Sequence, residues 1–372
     1  MRARELGIVI GRGRPGPANA ITDVDGVQVG HTTLIRGEGP LVVGTGPVRT
    51  GVTVVLPHEG IGDEPVFAGC HRLNGNGELT GLEWIRECGM LTTPVAITNT
   101  HSVGVVRDAL IAAAIRGQGS AEISWSLPVV GETWDGMLND ANGMHVLPEH
   151  VDQALALASS GPVAEGNVGG GTGMVCHEFK GGIGNASRVL PEASGAFTVG
   201  VLVQANYGAR ERLQVNGVPV GDSIPRSEVP SPYDKPEASE AGSIIVVVAT
   251  DAPLLPTQCG RLAQRAGLGI ARMGGVGANS SGDLFLSFST ANRGRLIQPE
   301  RDEGPLTMTV DVLSNEYITE LFYAVVESTE EAILNALLAA ETMTGRDGVT
   351  AYALPTDRLL EVMKRYGRSA VA

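Results

Sequence analysis

The apolar positions of this chain fall first into short runs and later into longer periodic stretches. Over residues 21–56, "ITDVDGVQVGHTTL", "GPLVVGTG" and "VRTGVTVVLP" place branched residues between Gly, Pro and Asp. That pattern predicts strands and turns. "LNGNGELTGLEWIREC" reads as a Gly/Asn loop entering a helix, and "PVAIT" at 94–98 as a buried strand. "VGVVRDALIAAAIRG" has helical spacing, with Gly117 as its C′ residue. "EISWSLPVVGET" is extended, and "PEHVDQALALASSG" predicts a helix from Pro148 towards Gly161. The Gly-rich 166–188 segment reads as a loop with a strand at 174–179, and "AFTVGVLVQAN" as a strand over 196–206. Residues 207–242 form the longest polar, proline-rich stretch. Strands at 243–250, 283–289 and 306–313 follow, with a helix from Thr257 to Met273 between the first two. Helices at 316–342, broken near Ser328, and 356–366 end the chain. The alternation predicts a layered α/β protein with sheets between helices, organised as one domain over 1–372.

Composition narrows the chemistry. The chain has 372 residues, 42% of them hydrophobic, and a formal charge of −14, with no basic stripe for nucleic acid. Cys70, Cys88, Cys176 and Cys259 form no C-x-x-C pair and read as reduced thiols. The N-terminus lacks the apolar core of a signal peptide, and "SIIVVVAT" is too short to span a bilayer. A cytoplasmic protein is the expectation. "GRGRPG" at 11–16 matches G-x-G-x-x-G without a preceding strand, and "GGGTG" at 169–173 lacks the G-K-[ST] ending of a P-loop. The seven histidines show no H-x-x-x-H pair on a helix, so no metal site is expected. A Ser-His-Asp triad assembled in space stays open.

Four places carry candidate chemistry beside a plain structural reading. Ser243 follows Gly242 and opens the apolar run 243–249. It is either a strand-edge hydroxyl or, once the Gly242–Ser243 bond is cut, an N-terminal nucleophile. Its α-amine, with a pKa of roughly 8, would then lie in reach of its own hydroxyl. Glycine before it admits the backbone strain such a cut needs. Ser281 and Asp283, two apart at a strand entry, either relay a proton or make a turn. Asn206 at a strand end either donates to an oxyanion or caps the strand. In "PVVGETWDGMLND", Glu132 either holds a substrate ammonium against a wall made by Trp134, or is a solvated acid beside a core tryptophan.

These pieces occur in one order, together with "GPANAITDVDGVQVGHTTLI", "VFAGCHRLNGNGELTG", "ITNTHSVGVVRDA" and "GNVGGGTGMVCHEFKGGIGNASR". Over residues 5 to 290 the chain resembles the DmpA family, the L-aminopeptidase/D-esterase-amidases and β-aminopeptidases of peptidase family P1. The resemblance implies an αββα four-layer sandwich, like N-terminal-nucleophile hydrolases in layering but not in connectivity. It implies self-cleavage into 1–242 (α chain) and 243–372 (β chain), and a homotetramer of cleaved protomers. By position it makes Ser243 the nucleophile, Ser281 and Asp283 the auxiliary pair, Asn206 the oxyanion donor and Glu132 the binder of the substrate amino group. No metal and no organic cofactor is implied; the partner is a small peptide or an amino-acid amide or ester. Two departures stand out. Asp283 replaces the family's Glu, and Met137 stands where some members place a tyrosine hydroxyl, a donor that a thioether cannot replace. A non-catalytic binding protein and an acyltransferase with ornithine-acetyltransferase layering are the alternatives; the latter group uses a threonine nucleophile.

Overall fold

The computed structural model describes residues 1–118, 125–233, 242–296 and 306–368. Two mixed sheets face one another. The smaller contains β1 (Gln28–Arg36), β2 (Val48–Leu56), β5 (Val95–Asn99) and β6 (Val129–Thr133), in that order. The larger runs β4 (Met90–Leu91), β3 (Val66–Gly75), β12 (Gly282–Ser289), β11 (Ser243–Thr250), β10 (Thr198–Asn206), β9 (Gly182–Val189). Between them lies a core that includes Val29, Val55 and Ile97 from one sheet and Leu202, Ile245, Val247 and Leu286 from the other. Helices α2 (Val103–Gln118) and α3 (Pro148–Ala156) cover the smaller sheet, over a core containing Val54, Ala96, Val106 and Val151. Helices α5 (Pro256–Arg272) and α6 (Ile318–Ala339) cover the larger, where Val203, Val246 and Phe285 meet Leu262 and Ile333. Each strand thus sends alternate side chains to two different cores, as the two-residue period requires. The layers follow the expected αββα order. Short helices α1 (Leu82–Cys88), α4 (Val220–Ser223) and α7 (Thr356–Arg365) lie outside them.

Several expectations are corrected. Strand β9 lies in the stretch read as a glycine loop. Its Gly184 faces α6, where a Cβ would sit 2.0 Å from the Ala332 carbonyl, so a weak strand former is what lets the helix dock. The strand expected at 174–179 is a tight hairpin, β7 (Val175–Cys176) and β8 (Phe179–Lys180), turning through His177 and Glu178 at positive φ. No strand forms over 306–313; Leu306 is fully exposed and Met308 and Val312 are about half so, with no sheet edge to join. "GPLVVGTG" makes only a bridged turn between Val42 and Gly46. Helix α2 runs through Gly117, α3 stops five residues short of Gly161, and α6 continues unbroken through a buried Ser328. All four cysteines are free, two buried and two half-buried. No helix among the described residues is long and apolar enough to cross a membrane.

The N-terminal arm explains the "GRGRPG" motif differently. The N–H groups of Arg12 and Gly13 donate to the two carboxylate oxygens of Glu327 on α6, each at 2.8 Å. Arg188 on β9 completes this end of the sheet, bridging Glu327 (3.1 Å) and Glu331 (2.7 Å). The motif cradles an internal carboxylate.

Candidate active site

Ser243 begins β11 at the opposite end of the same sheet. It pairs with Asn206, the last residue of β10, and with Gly282, the first of β12. The preceding Gly242 is needed for close approach. Its φ is not in the left-handed region, but a Cβ there would lie 2.4 Å from the Asn206 carbonyl oxygen. Close packing gives a reason for glycine here that needs no left-handed φ. The Gly242 carbonyl accepts two hydrogen bonds, from the Ser243 hydroxyl at 2.7 Å and from the Gly282 N–H at 3.1 Å. Two donors on one carbonyl polarise it towards nucleophilic attack.

Asn206 faces the gap between the sheets. Its Oδ1 accepts from the Val175 N–H at 2.8 Å, and its Nδ2 donates to the Trp134 carbonyl at 3.0 Å. One Nδ2 hydrogen is thereby engaged and the amide's orientation fixed, which leaves the amide a second N–H donor. Trp134 is 45% exposed, its indole edge-on to His101 at 5.2 Å, so it is a rim wall and not a core residue. Met137 is half-buried in the turn in which the Leu138 N–H donates to the Asp135 carbonyl.

Glu132, the penultimate residue of β6, is almost fully buried, which removes the solvated-acid reading. Its Oε1 accepts from the Glu78 N–H at 3.0 Å and its Oε2 from the Thr100 hydroxyl. Burial still pushes its carboxyl up, partly offset by these donors. The loop between them is tightly packed: a Cβ at Gly77 would lie 2.9 Å from the Glu132 Oε1 and 3.2 Å from the Gly282 Cα. Glu132 is thus separated from the Ser243 pairing partner by one glycine.

The Ser281 hydroxyl donates to the Asp283 Oδ1 at 2.6 Å, so the two share one side as their spacing predicted. Burial raises Asp283 to about 6, against the Ser281 hydroxyl and the Ile244 N–H, which favour its charged form. Strand parity adds a constraint that spacing alone could not supply. Ile244 and Phe285 point to the helix-side core, while Ile245 and Leu284 point between the sheets. The side chain of Asp283 therefore lies on the helix side, with Tyr207, and those of Ser243 and Asn206 on the other. What Asp283 approaches is the backbone at the 243–244 junction, through the Ile244 N–H. An acid so placed suits proton exchange with a backbone amine of Ser243 better than with its hydroxyl.

Three contributors went unremarked in the sequence. Asp135 is fully buried, and neither carboxylate oxygen closes a well-formed hydrogen bond. Burial pushes it to about 7 although Thr50 and Asn139 stand near it. Tyr207 and the Gly282 N–H are the others. No local signal marked them, because their surroundings come from segments distant in sequence. The open triad reading is answered by His145. Its Nε2 bonds Asp140 at 2.8 Å, but its Nδ1 is occupied by Arg36 at 2.8 Å, so no serine can use it.

Comparison with known proteins agrees with this geometry. The model of "Peptidase family S58" matches residues 19–351. A protein named β-peptidyl aminopeptidase BapA from Sphingosinicella microcystinivorans is 50% identical, over 100% of this chain and 94% of its own length. Among solved structures, a β-aminopeptidase from a Burkholderia species is 54% identical, with a TM-score of 0.91 over 99% of both chains. The L-aminopeptidase D-Ala-esterase/amidase of Ochrobactrum anthropi is 44% identical, with a TM-score of 0.89 over 99% of both chains; it is described as a prototype serine aminopeptidase and a variant of the Ntn-hydrolase fold. Each of these is named for hydrolysis, which sets aside the binding-protein and acyltransferase alternatives. With the match running almost end to end, the chain belongs to peptidase family S58 and is a hydrolase of the aminopeptidase/amidase class.

Proposed function

We propose that the chain is a precursor that cuts itself between Gly242 and Ser243 and then acts as an aminopeptidase through Ser243. The reading makes residues 1–372 one domain, divided by the cut into 1–242 and 243–372. In the first step the Ser243 oxygen attacks the Gly242 carbonyl carbon, the C–N bond breaks, and the Ser243 nitrogen takes up a proton. Water then hydrolyses the ester, leaving a Gly242 carboxylate and a free Ser243 amine. In the second, the Ser243 oxygen attacks the scissile carbonyl of a substrate with a free amino group, the C–N or C–O bond breaks as the leaving amine or alcohol takes up the serine proton, and water hydrolyses the acyl-enzyme to the free acid and the restored hydroxyl. Asn206 donates to the oxyanion, the Ser281–Asp283 pair exchanges protons with the Ser243 amine, and Glu132 holds the substrate ammonium beside Trp134 and Met137. No metal or organic cofactor takes part.

The observation that carries this reading is the doubly bonded Gly242 carbonyl, with the Ser243 hydroxyl and the Gly282 N–H both on its oxygen. The relatives' names favour amides of β-amino acids as substrates, with α-amino amides as the second class. A homotetramer of cleaved protomers and a cytoplasmic setting complete the proposal. Intact mass under denaturing conditions tests its first step. Two fragments are expected from the native protein and one full-length chain from Ser243→Ala, which should also lose hydrolysis of a β-amino-acid anilide. A fully active protein that stays in one piece sinks the reading.

A further inference from the structure

Behind the Ser281–Asp283 pair, on the helix side of the sheet, is a cavity of about 20 Å³. Its walls include Tyr207, Ile270, Gly275, Ala278, Ser281 and Asp283. That is room for one water molecule, which needs roughly 10–15 Å³ of space and two to four polar partners. The Tyr207 side chain is buried, and its hydroxyl has no hydrogen-bond partner among the described residues. An unsatisfied buried hydroxyl is costly, so native structures bring such groups to a partner or an ordered water. Polar groups for that water are already at the cavity wall: the phenol, the carboxylate of Asp283 and the hydroxyl of Ser281.

We propose that this cavity is a one-water site in which the Tyr207 hydroxyl donates to the water and the water donates to Asp283, making Tyr207 a positioning residue for the catalytic acid. This rests on the reading of Ser281–Asp283 as the pair that handles protons. The direct Ser281 bond occupies Asp283 Oδ1, and the water gives the carboxylate a further donor from the residue that follows β10, two strands away. The electrostatic surroundings agree. Burial and the facing groups Cys176, Asp283 and Glu330 push the phenol far above its ordinary range, so it is a neutral donor at all working pH values. Glu330 on α6 is itself paired with Arg272 at 2.6 Å. His177, edge-on to the Tyr207 ring at 5.0 Å, is held neutral by burial at about 4. Arg212 lines the cavity, and Asn74 pairs with Asp283 across β3, its amide turned to the carbonyls of Gly277 and Ala278. The phenol is thus the neutral donor positioned to favour the charged form of Asp283 through a relay.

Tyr207→Phe removes the hydroxyl and keeps the ring. In the active enzyme the acid limb of the kcat profile should move up by about 0.5–1 pH unit, with KM unchanged. In the Ser243→Ala background, which needs no activity, the same change should lower Tm by about 2–4 °C, as loss of a satisfied hydrogen bond does. A crystal structure of the Ser243→Ala protein at better than 2 Å should show an ordered water between Tyr207 and Asp283. An empty cavity overturns the proposal, and so does a Tyr207→Phe protein with an unchanged or higher Tm and an unmoved acid limb. If the water is present but Asp283→Asn leaves catalysis intact, the water site stands and the assigned role of Asp283 falls.

Discussion

The two ends of the six-stranded sheet handle buried charge in opposite ways. At the Arg188 end charges come in sets: Arg188 bridges Glu327 and Glu331, Arg4 reaches Glu331 at 3.0 Å, and Asn19 donates to the same carboxylate at 2.6 Å. At the Ser243 end Glu178 and Glu330 are paired, with Arg226 and Arg272, but three further carboxylates are buried with no cation partner among the described residues. Glu132 has only neutral donors, Asp283 is raised to about 6 and Asp135 to about 7, each chiefly by desolvation. Lys180 has the same solitude with the opposite sign. Its ammonium meets only the carbonyls of Gly181 (2.7 Å) and Gly171 (3.3 Å), and burial lowers it to about 7. The lesson is one of division of labour. Paired charges fasten the N-terminal arm and α6 to the sheet, while lone desolvated groups sit where a proton can be gained or lost near neutrality.

The comparison is broken most severely by removing a proton carrier. Asp283→Asn should reduce kcat by roughly 10²–10⁴-fold and erase the acid limb near pH 6, read from kcat between pH 5 and 9. A neutral asparagine that works as well as aspartate would make the two ends alike. At the paired end the effect belongs to stability. Arg188→Met leaves Glu327 and Glu331 buried without their shared cation and should cost about 3–5 kcal/mol in a urea titration. The smallest expected effect is in the pH dependence of folding. Asp135 binds its proton more tightly folded than unfolded, so stability falls as pH rises from about 4 to about 7. Lys180 is deprotonated earlier in the folded chain, so stability rises from about 7 to about 10. The combined contribution of these two groups is least near pH 7, while His31 and His177, each held at about 4 by burial, add stability as pH rises from about 4 to 6.5. Asp135→Asn should flatten the acid side of that curve and Lys180→Met the alkaline side, each by up to a few kcal/mol. Variant curves that run parallel to the native one on both sides of pH 7 would overturn the view of these two groups as unpaired.

What could be read in the sequence depended on whether the signal was local. The strand at Ser243 and the helix after Pro256 carry strong local patterns, and both form as expected. The Ser281–Asp283 contact follows from spacing along one strand. Strand β9 was hidden, because its glycines are chosen by a helix distant in sequence. The apolar run at 306–313 misled for the reverse reason, having residues that suit a strand but no partner edge. The order of motifs pointed to the family, yet it could not reveal that Asp283 and the Ser243 hydroxyl lie on opposite faces of the sheet. That fact exists only once β11 and β12 are in register. Asp135 carried no signal of its own, because its burial comes only when the chain closes over it.

Strand order has a last consequence. In the larger sheet the two strands that follow position 242, β12 and β11, lie between β3 and β10, which precede it. A nick at that position therefore yields two polypeptides dovetailed through the middle of a sheet. To part, they would have to unzip two antiparallel ladders at once and tear α5 and α6 from the core beneath. Hydrolysis here would change the number of chain ends and leave the body whole, so a new terminus at Ser243 would be held in place by both neighbours from the outset.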